Sequence, residues 1–382
     1  MNTSIVLGLG YGDEGKGLTT SYLCSLSKNS LVVRFNGGHQ AGHTVVHNRV
    51  RHIFSSFGSG TLLGVPTFWS KFCTFYPIAV LNEYAVLKEK GIEPKLYVDP
   101  LSPVTTPFDI SDNQESERDN QHGSVGVGFG STLKRQEAYY KLYFQDLFFP
   151  SVLKEKLDHI IDFYYQKIYK PSLIEEKKQN FIRVVETLKK QKFLHSKNDM
   201  NFFGFDHIIF EGAQGILLDI DFGFFPNVTR SNTTSKNAIQ IIKENDLDRS
   251  PEIYYVTRSY QTRHDKGFMT NEGSEEGSTS TDKYLYSDIK QNEKETNIFG
   301  TWQGKFRKGI LDIEMLNYAL TCDMNFSSGY TSNLVVTCLD QTGDEFLVIH
   351  KGIQKKIHIT RLKSFLHRDF DKTIYNYSDS LT

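Results

Sequence analysis

Residues 8–17 read GLGYGDEGKG. Glycines at this density let backbone N–H groups approach a phosphate, and a helix starting near Gly15 would add its positive end. Lys16 supplies a point charge to phosphates. Counted from Gly10, the spacing is G-x-x-x-x-G-K, the beginning of a phosphate-binding loop. Gly17, however, stands where such a loop carries the Ser or Thr that holds magnesium. Asp13 lies inside the loop. A carboxylate close to phosphates is repelled unless a metal lies between them, or unless it takes a proton during the reaction. Either role is chemistry beyond hydrolysis of a nucleoside triphosphate. The competing reading is a glycine-rich turn with solvated charges.

Two further stretches carry chemistry. Arg34–Thr44, RFNGGHQAGHT, sets Gly37, Gly38 and Gly42 beside two histidines. The glycine pair allows close backbone approach, and His43 could donate a proton to a developing oxyanion. His39 and His43 are four apart, a zinc spacing on a helix, but the surrounding glycines argue against a helix. Phe210–Thr234 contains EGAQG and PNVTRSNTT. Gln214 and Thr229 there are neutral hydrogen-bond donors, and Asp219 and Asp221 are candidates for turn capping.

These stretches need elements to position them. Apolar, β-branched runs recur at Ser4–Leu7, Leu31–Phe35, Leu96–Val98, His207–Phe210, Ile253–Val256 and Leu334–Thr337. Continuous apolar strands suit a sheet covered on both faces. Helical patterns lie between them, the longest at about Leu153–Tyr169 and Leu173–Leu188, broken by Pro171. The alternation predicts an α/β fold, one large domain over 1–382 with a central, mainly parallel sheet flanked by helices. Ligands in such folds bind beyond the carboxyl ends of the strands, where the three stretches fall. Ser111–Gly123 and Asn271–Lys283 read as solvated loops, either of which could serve as a lid. From about residue 341 the chain reads as a hairpin, Glu345–His350 with Lys355–Thr360, and a tail.

The 382 residues are 38% hydrophobic, enough for a full core. A net charge of −1 argues against bulk nucleic-acid binding. No apolar stretch is long enough to span a membrane, and residue 1 runs straight into a strand-like segment rather than a signal peptide. Cys24, Cys73, Cys322 and Cys338 are scattered, as reduced thiols of a cytoplasmic protein would be.

Taken in order, the three stretches resemble the adenylosuccinate synthetase family, whose runs read G-D-E-G-K-G, G-G-H-N-A-G-H-T and E-G-A-Q-G-x-L-L-D-I-D-x-G-x-x-P-x-V-T-x-S-N-T-T. The resemblance runs from residue 4 to about residue 340. A fourth stretch, RSYQTRHDKG at Arg258–Gly267, is similar to the family's A-Y-x-T-R-V-G-x-G. The resemblance implies a ligase that joins L-aspartate to C6 of a purine monophosphate, normally IMP, through a 6-phosphoryl intermediate, with GTP and Mg2+. It implies Asp13 as the base at N1 and as a metal contact, with the Gly42 carbonyl as another. His43 acts on phosphate oxygens, and Lys16 and Gln214 complete the catalytic set. Gly12, Glu14, Gly15, Lys16, Gly17, Gly42 and Thr44 fall at the donor and its metal. Gln40, Gln214 and Thr229 fall at the purine nucleotide. A homodimer is implied, because family members borrow an arginine across a two-fold axis.

The departures cluster by subsite. The family's T-T-G-R-G-I-G is SVGVGFG at Ser124–Gly130. Ser124 keeps a hydroxyl, but the Val125 and Val127 side chains cannot hydrogen-bond phosphate, so either Arg135 or a partner subunit compensates or the substrate differs. The aspartate-binding loop T-T-G-R-x-R-R-x-G corresponds to TWQGKFRKG, with Thr301, Lys305 and Arg307 as candidates. The guanine-gripping T-K-L-D is TCLD, keeping Asp340 but with Cys338 for lysine, and the later G-P-x-R segment is not evident. That leaves ATP open as donor. Two other readings stand beside the leading one: a 2-aminoadenylosuccinate synthase acting on GMP or dGMP, and a nucleotide-binding regulator or pseudoenzyme.

Overall fold

The run TSIVLG after Asn2 is apolar on both faces, and in the computed structural model it forms the strand from which the molecule is built. The structure describes residues 1–120, 124–165, 173–247, 250–264, 266–271, 289–290 and 305–378. The strands, in chain order, are β1 (Asn2–Gly8), β2 (Ser30–Arg34), β3 (His43–His47), β4 (Val50–Phe54), β5 (Thr67–Trp69), β6 (Leu96–Val98), β7 (Leu194–Ser196), β8 (His207–Glu211), β9 (Glu252–Arg258), β10 (Gln261–His264), β11 (Phe306–Gly309), β12 (Leu311–Asp312), β13 (Ser332–Thr337), β14 (Glu345–His350), β15 (Ile353–His358) and β16 (Lys372–Tyr375). Nine of them pair in the order β16-β13-β9-β1-β8-β2-β5-β6-β7. Every pairing in this sheet is parallel. Ile5 of β1 sits between Phe210 of β8 and Ile253 of β9.

Helices connect and cover the strands: α1 (Lys16–Ser25), α2 (Pro77–Glu89), α3 (Pro107–Asn120), α4 (Phe129–Glu137), α5 (Pro150–Tyr164), α6 (Ile174–Leu188), α7 (Lys236–Glu244) and α8 (Ile313–Ser327). One buried cluster joins Ile5, Leu7, Val33 and Tyr255 of the sheet to Ile242 of α7 and Leu320 of α8. On the opposite face Val6, Val32 and Val256 meet Leu23 and Cys24 of α1. A third cluster packs α2, α5 and α6 through Leu87, Leu157, Phe181 and Val185 beyond β5 and β6. Burial on both faces explains the continuous apolar strands. Among the described residues no helix is long and apolar enough to cross a membrane. Cys24, Cys73 and Cys322 are buried free thiols, and Cys338 is partly exposed.

Two expectations need correction. Ser111–Asn120 is not loop but the body of α3. Thr106 and Asp109 cap its start reciprocally, with Thr106 N donating to Asp109 Oδ2 at 2.7 Å and Asp109 N to Thr106 Oγ1 at 3.4 Å. The C-terminal part is more than a hairpin and tail, because β16 adds a parallel strand to the edge of the main sheet beside β13. The hairpin β14–β15 forms, and its turn is Lys351-Gly352, both at positive φ of 53° and 70° as a tight two-residue connection requires. Most of Asn271–Lys283, from 272 on, lies outside the described residues.

Candidate functional site

Five neighbouring strands, β13, β9, β1, β8 and β2, end side by side. The loops that leave them line a cleft of about 1140 Å³. The first loop is held from several sides. Thr337 Oγ1 at the end of β13 donates to the Glu14 carbonyl at 2.7 Å, and Arg258 Nε at the end of β9 donates to the Asp13 carbonyl at 2.6 Å. Gly15, at φ 98°, closes the loop in a left-handed turn that a side chain would strain, and α1 starts at Lys16. Gly12, Asp13, Gly15, Lys16 and Gly17 line the cleft together.

Glu14 does not. It is buried, and its Oε1 accepts from Gly10 N at 3.0 Å and Gly12 N at 2.8 Å, while Oε2 meets Lys16 Nζ at 2.5 Å. Placing Glu14 at the donor is therefore corrected. It braces the loop from behind and pairs Lys16.

Asp13 and Gln214 both adopt left-handed φ, 63° and 61°, and both face the cleft. Strained backbone at two non-glycine residues of one cleft is a mark of function. Asp13 Oδ2 lies 3.1 Å from His264 Nε2. Burial alone would raise the Asp13 carboxyl. The hydrogen bond and charge of His264, with Arg258 and Lys16, outweigh it and hold the group below its ordinary value.

His43 begins β3 at the cleft wall, and its Nδ1 is 2.6 Å from Glu211 Oε1 at the end of β8. Glu211 is fully buried and also accepts from Ser59 N at 3.1 Å and from the Ser59 hydroxyl. Burial pushes Glu211 up, but His43, Arg34 and Ser59 prevail and bring it down to about 2. An ionised Glu211 accepts only, so His43 Nδ1 carries a proton and Nε2 is left for the cleft. Burial lowers the His43 pKa against the pull of Glu211, and Arg34 and Lys16 lower it further.

This packing explains the missing loop hydroxyl. A Cβ on Gly17 would lie 2.8 Å from His43 Cβ and 2.8 Å from Ser59 Oγ. The place a Ser or Thr side chain would take is filled by the histidine and its support.

On the other side of the cleft both amide atoms of Gln40 and Oε1 of Gln214 are buried without a hydrogen-bond partner. A Cβ on Gly37 would be 3.4 Å from Gln40 Nε2 and 4.0 Å from Gln214 Oε1, so the two amides converge there. Buried polar atoms without partners are costly and point to a polar ligand. Thr229, Gly42 and Thr44 also line the cleft. Ser124 lines it too, its hydroxyl engaged with Asn113 Nδ2 at 2.8 Å and Gly126 N at 3.0 Å. Asp219 is a turn cap, accepting from Asp221 N at 2.8 Å and from Thr233 N at 2.5 Å. Asp221 accepts from Asn232 Nδ2 at 2.9 Å.

Arg135 is a second correction to the site. It is fully buried in α4, with Nε 2.8 Å from Asp109 Oδ1 and Nη2 2.7 Å from the Val104 carbonyl. Its guanidinium holds α3 to α4 and cannot replace the hydroxyl and the guanidinium that the family motif has where this chain has Val125 and Val127. Lys134 and Arg230 are among the basic residues that line the cleft. Arg307 is in β11 opposite Arg263 of β10, and its Nη2 donates to the Gly267 carbonyl at 2.8 Å. Neither Arg307 nor the exposed Lys305 lines the cleft, and Thr301 lies outside the described residues. Thr337, Cys338, Asp340, Gln341, Asn376 and Ser378 form the far end, the last two brought there by β16.

Sequence reasoning assigned no role to Glu211, Arg258, Arg263 or His264, all at strand ends around the loop. The signals were a carboxylate ending an apolar strand and a run of cations after β9. Arg263 stacks over Tyr11, 4.4 Å from the ring centroid, and donates to the Asn227 carbonyl at 2.9 Å. Among the described residues no cluster of three His, Cys, Asp or Glu could hold a metal. Asp13 and Gly42 both line the cleft, and a carboxylate and a backbone carbonyl are the kinds of hard oxygen donor that magnesium takes.

The family model of adenylosuccinate synthetase matches residues 5–358. Adenylosuccinate synthetase of Buchnera aphidicola is 33% identical over 363 residues, 90% of this chain and 79% of that protein. That of Caldanaerobacter subterraneus is 31% identical over 378 residues, 92% of this chain and 81% of that protein. Fully ligated adenylosuccinate synthetase from Plasmodium falciparum has a similar fold, with a TM-score of 0.74 at 19% identity over 100% of this chain and 98% of that one. Succinoaminodeoxyadenylate synthetase of cyanophage S-2L, bound to dGMP and dATP, superposes less well, with a TM-score of 0.61 at 15% identity over 99% of this chain and 93% of that one. The chain belongs to the adenylosuccinate synthetase family, ligases that form a C–N bond.

Proposed function

We propose that the cleft joins L-aspartate to C6 of IMP, driven by GTP. The observation that supports this most is the convergence of Asp13, Lys16 and His43 with the unpartnered amides of Gln40 and Gln214 in one cleft. Gln40, Gln214 and Thr229 hold the purine nucleotide by neutral hydrogen bonds. Lys16 and the backbone N–H groups at the start of α1 hold the donor phosphates. Asp13 takes the N1 proton, the electron pair moves to O6, and O6 attacks the γ-phosphate as the bond to the β-phosphate breaks and GDP leaves. The aspartate amine then adds at C6, and phosphate leaves with O6. As negative charge gathers next to His43, the doubly protonated ring is favoured, and its Nε2–H donates to a phosphate oxygen. Mg2+, when bound, neutralises the donor phosphates; Asp13 and the Gly42 carbonyl are the groups that would hold it.

Asp340 supports GTP over ATP. Its carboxylate accepts only, which suits the N1–H and N2–H2 donors of guanine and opposes the N1 lone pair of adenine. A homodimer belongs to the same reading. With Arg135 spent inside the chain, the acceptor's 5′-phosphate is left to Lys134, Arg230 and a cation from the partner.

The test is an isotope transfer. With [6-18O]IMP, aspartate and GTP, the label is expected in released phosphate. Its release into water would remove the 6-phosphoryl step.

A further inference from the structure

On the ligase reading above, the placement of His264 beside Asp13 acquires a role. His264 ends β10 and lies against Asp13 from across the cleft floor, Nε2 to Oδ2 at 3.1 Å. Its ring is backed by Phe306, its cross-strand partner in β11, with ring centroids 4.9 Å apart. The Asp13 backbone is fixed independently, with its carbonyl held by Arg258 Nε at 2.6 Å and its φ at 63°. What then decides where the carboxylate points is rotation of the side chain. One oxygen is tied to His264, which leaves the other to face the acceptor.

We propose that His264 is a positioning residue for Asp13, donating from Nε2 to Oδ2 so that Oδ1 is presented to the N1–H of the purine. A carboxylate tied on one oxygen before substrate arrives loses less freedom in reaching the reactive geometry.

Three variants test this. His264→Val keeps an apolar contact with Phe306 and removes the donor. It is expected to lower kcat about 10- to 100-fold, the worth of one hydrogen bond to a charged group. KM for IMP and aspartate should stay within about twofold, because the interaction serves the proton transfer rather than binding. His264→Gln, which can still donate, should recover most of the loss. The third readout needs no turnover. With 15N-labelled imidazoles, Asp13→Ala should shift the His264 ring nitrogens in the substrate-free protein. Parental kcat in His264→Val would overturn the proposal, as would equal losses in the Val and Gln variants or ring resonances indifferent to Asp13. If the parent protein does not turn over IMP, the ligase reading fails, and the ring resonances still decide whether His264 holds Asp13.

Discussion

Restoring the hydroxyl of an ordinary phosphate-binding loop is predicted to damage this one. In Gly17→Ala the added Cβ would sit 2.8 Å from His43 Cβ, against about 3.5–4.0 Å for carbon atoms in good contact. Something must move by about 0.7–1.2 Å to restore that contact. The other neighbour, Ser59 Oγ, is itself 2.8 Å away and bonded to Glu211, so it offers no room. His43 is the group that yields, and its 2.6 Å contact with Glu211 yields with it. Overpacking of this kind costs about 1–3 kcal/mol of stability. Displacing a catalytic group by about 1 Å costs about 100-fold in rate. Gly17→Ala and Gly17→Ser should therefore both melt a few degrees lower and lose about 100-fold in kcat, with Ser no better than Ala. Thermal denaturation and steady-state phosphate release measure both. Parental turnover in Gly17→Ala would refute the packing argument. A gain on going from Ala to Ser would mean that the loop wants the hydroxyl after all.

Asp13→Asn should abolish turnover while leaving nucleotide affinity nearly intact, measured by calorimetry. Glu211→Gln should lower kcat about 100-fold or more by leaving His43 without its anion. Because the Glu211 pKa is depressed to about 2, its share of stability is present above its ordinary value of 4.5 and fades as pH falls toward 2. The stability gap between parent and Glu211→Gln should narrow over that window in denaturant titrations. Arg135→Met should cost about 3–5 kcal/mol by stranding Asp109 in the interior, yet leave the KM for IMP unchanged, which separates a structural arginine from a phosphate ligand. Asp340→Asn should raise the KM for GTP about 10-fold or more, the loss of charged hydrogen bonds, and narrow the preference over ATP in competition assays.

The sheet was legible because its strands are buried on both faces and read as plain apolar runs, as TSIVLG and SLVVR do. The loops were legible because glycine, lysine and histidine at those spacings have little packing value. α3 was not, because apart from Phe108 at its start the groups it buries are polar, Asp109, Asp112, Asn113 and Glu117, so no apolar stripe marks it. Its start signal was nonetheless present in Thr106-Pro107-Phe108-Asp109, a cap and a first-turn proline ahead of a polar segment. Arg135 could not be read locally. Its partner Asp109 is 26 residues away, and only the α3–α4 packing brings them together. Glu14 was placed at the donor by the family resemblance alone, but the loop turns its carboxylate back onto Gly10 and Gly12. β16 is a short edge strand, partly exposed and with a lysine at its start, which gives little apolar signal.

Phosphate release followed with Mg2+ and L-aspartate across IMP, GMP and dGMP against GTP and ATP decides which ligase this is. An IMP-specific, GTP-driven cleft gives turnover with IMP and GTP, and adenylosuccinate as product. Turnover on dGMP with ATP in place of that pair, or no turnover anywhere on the grid, would contradict it.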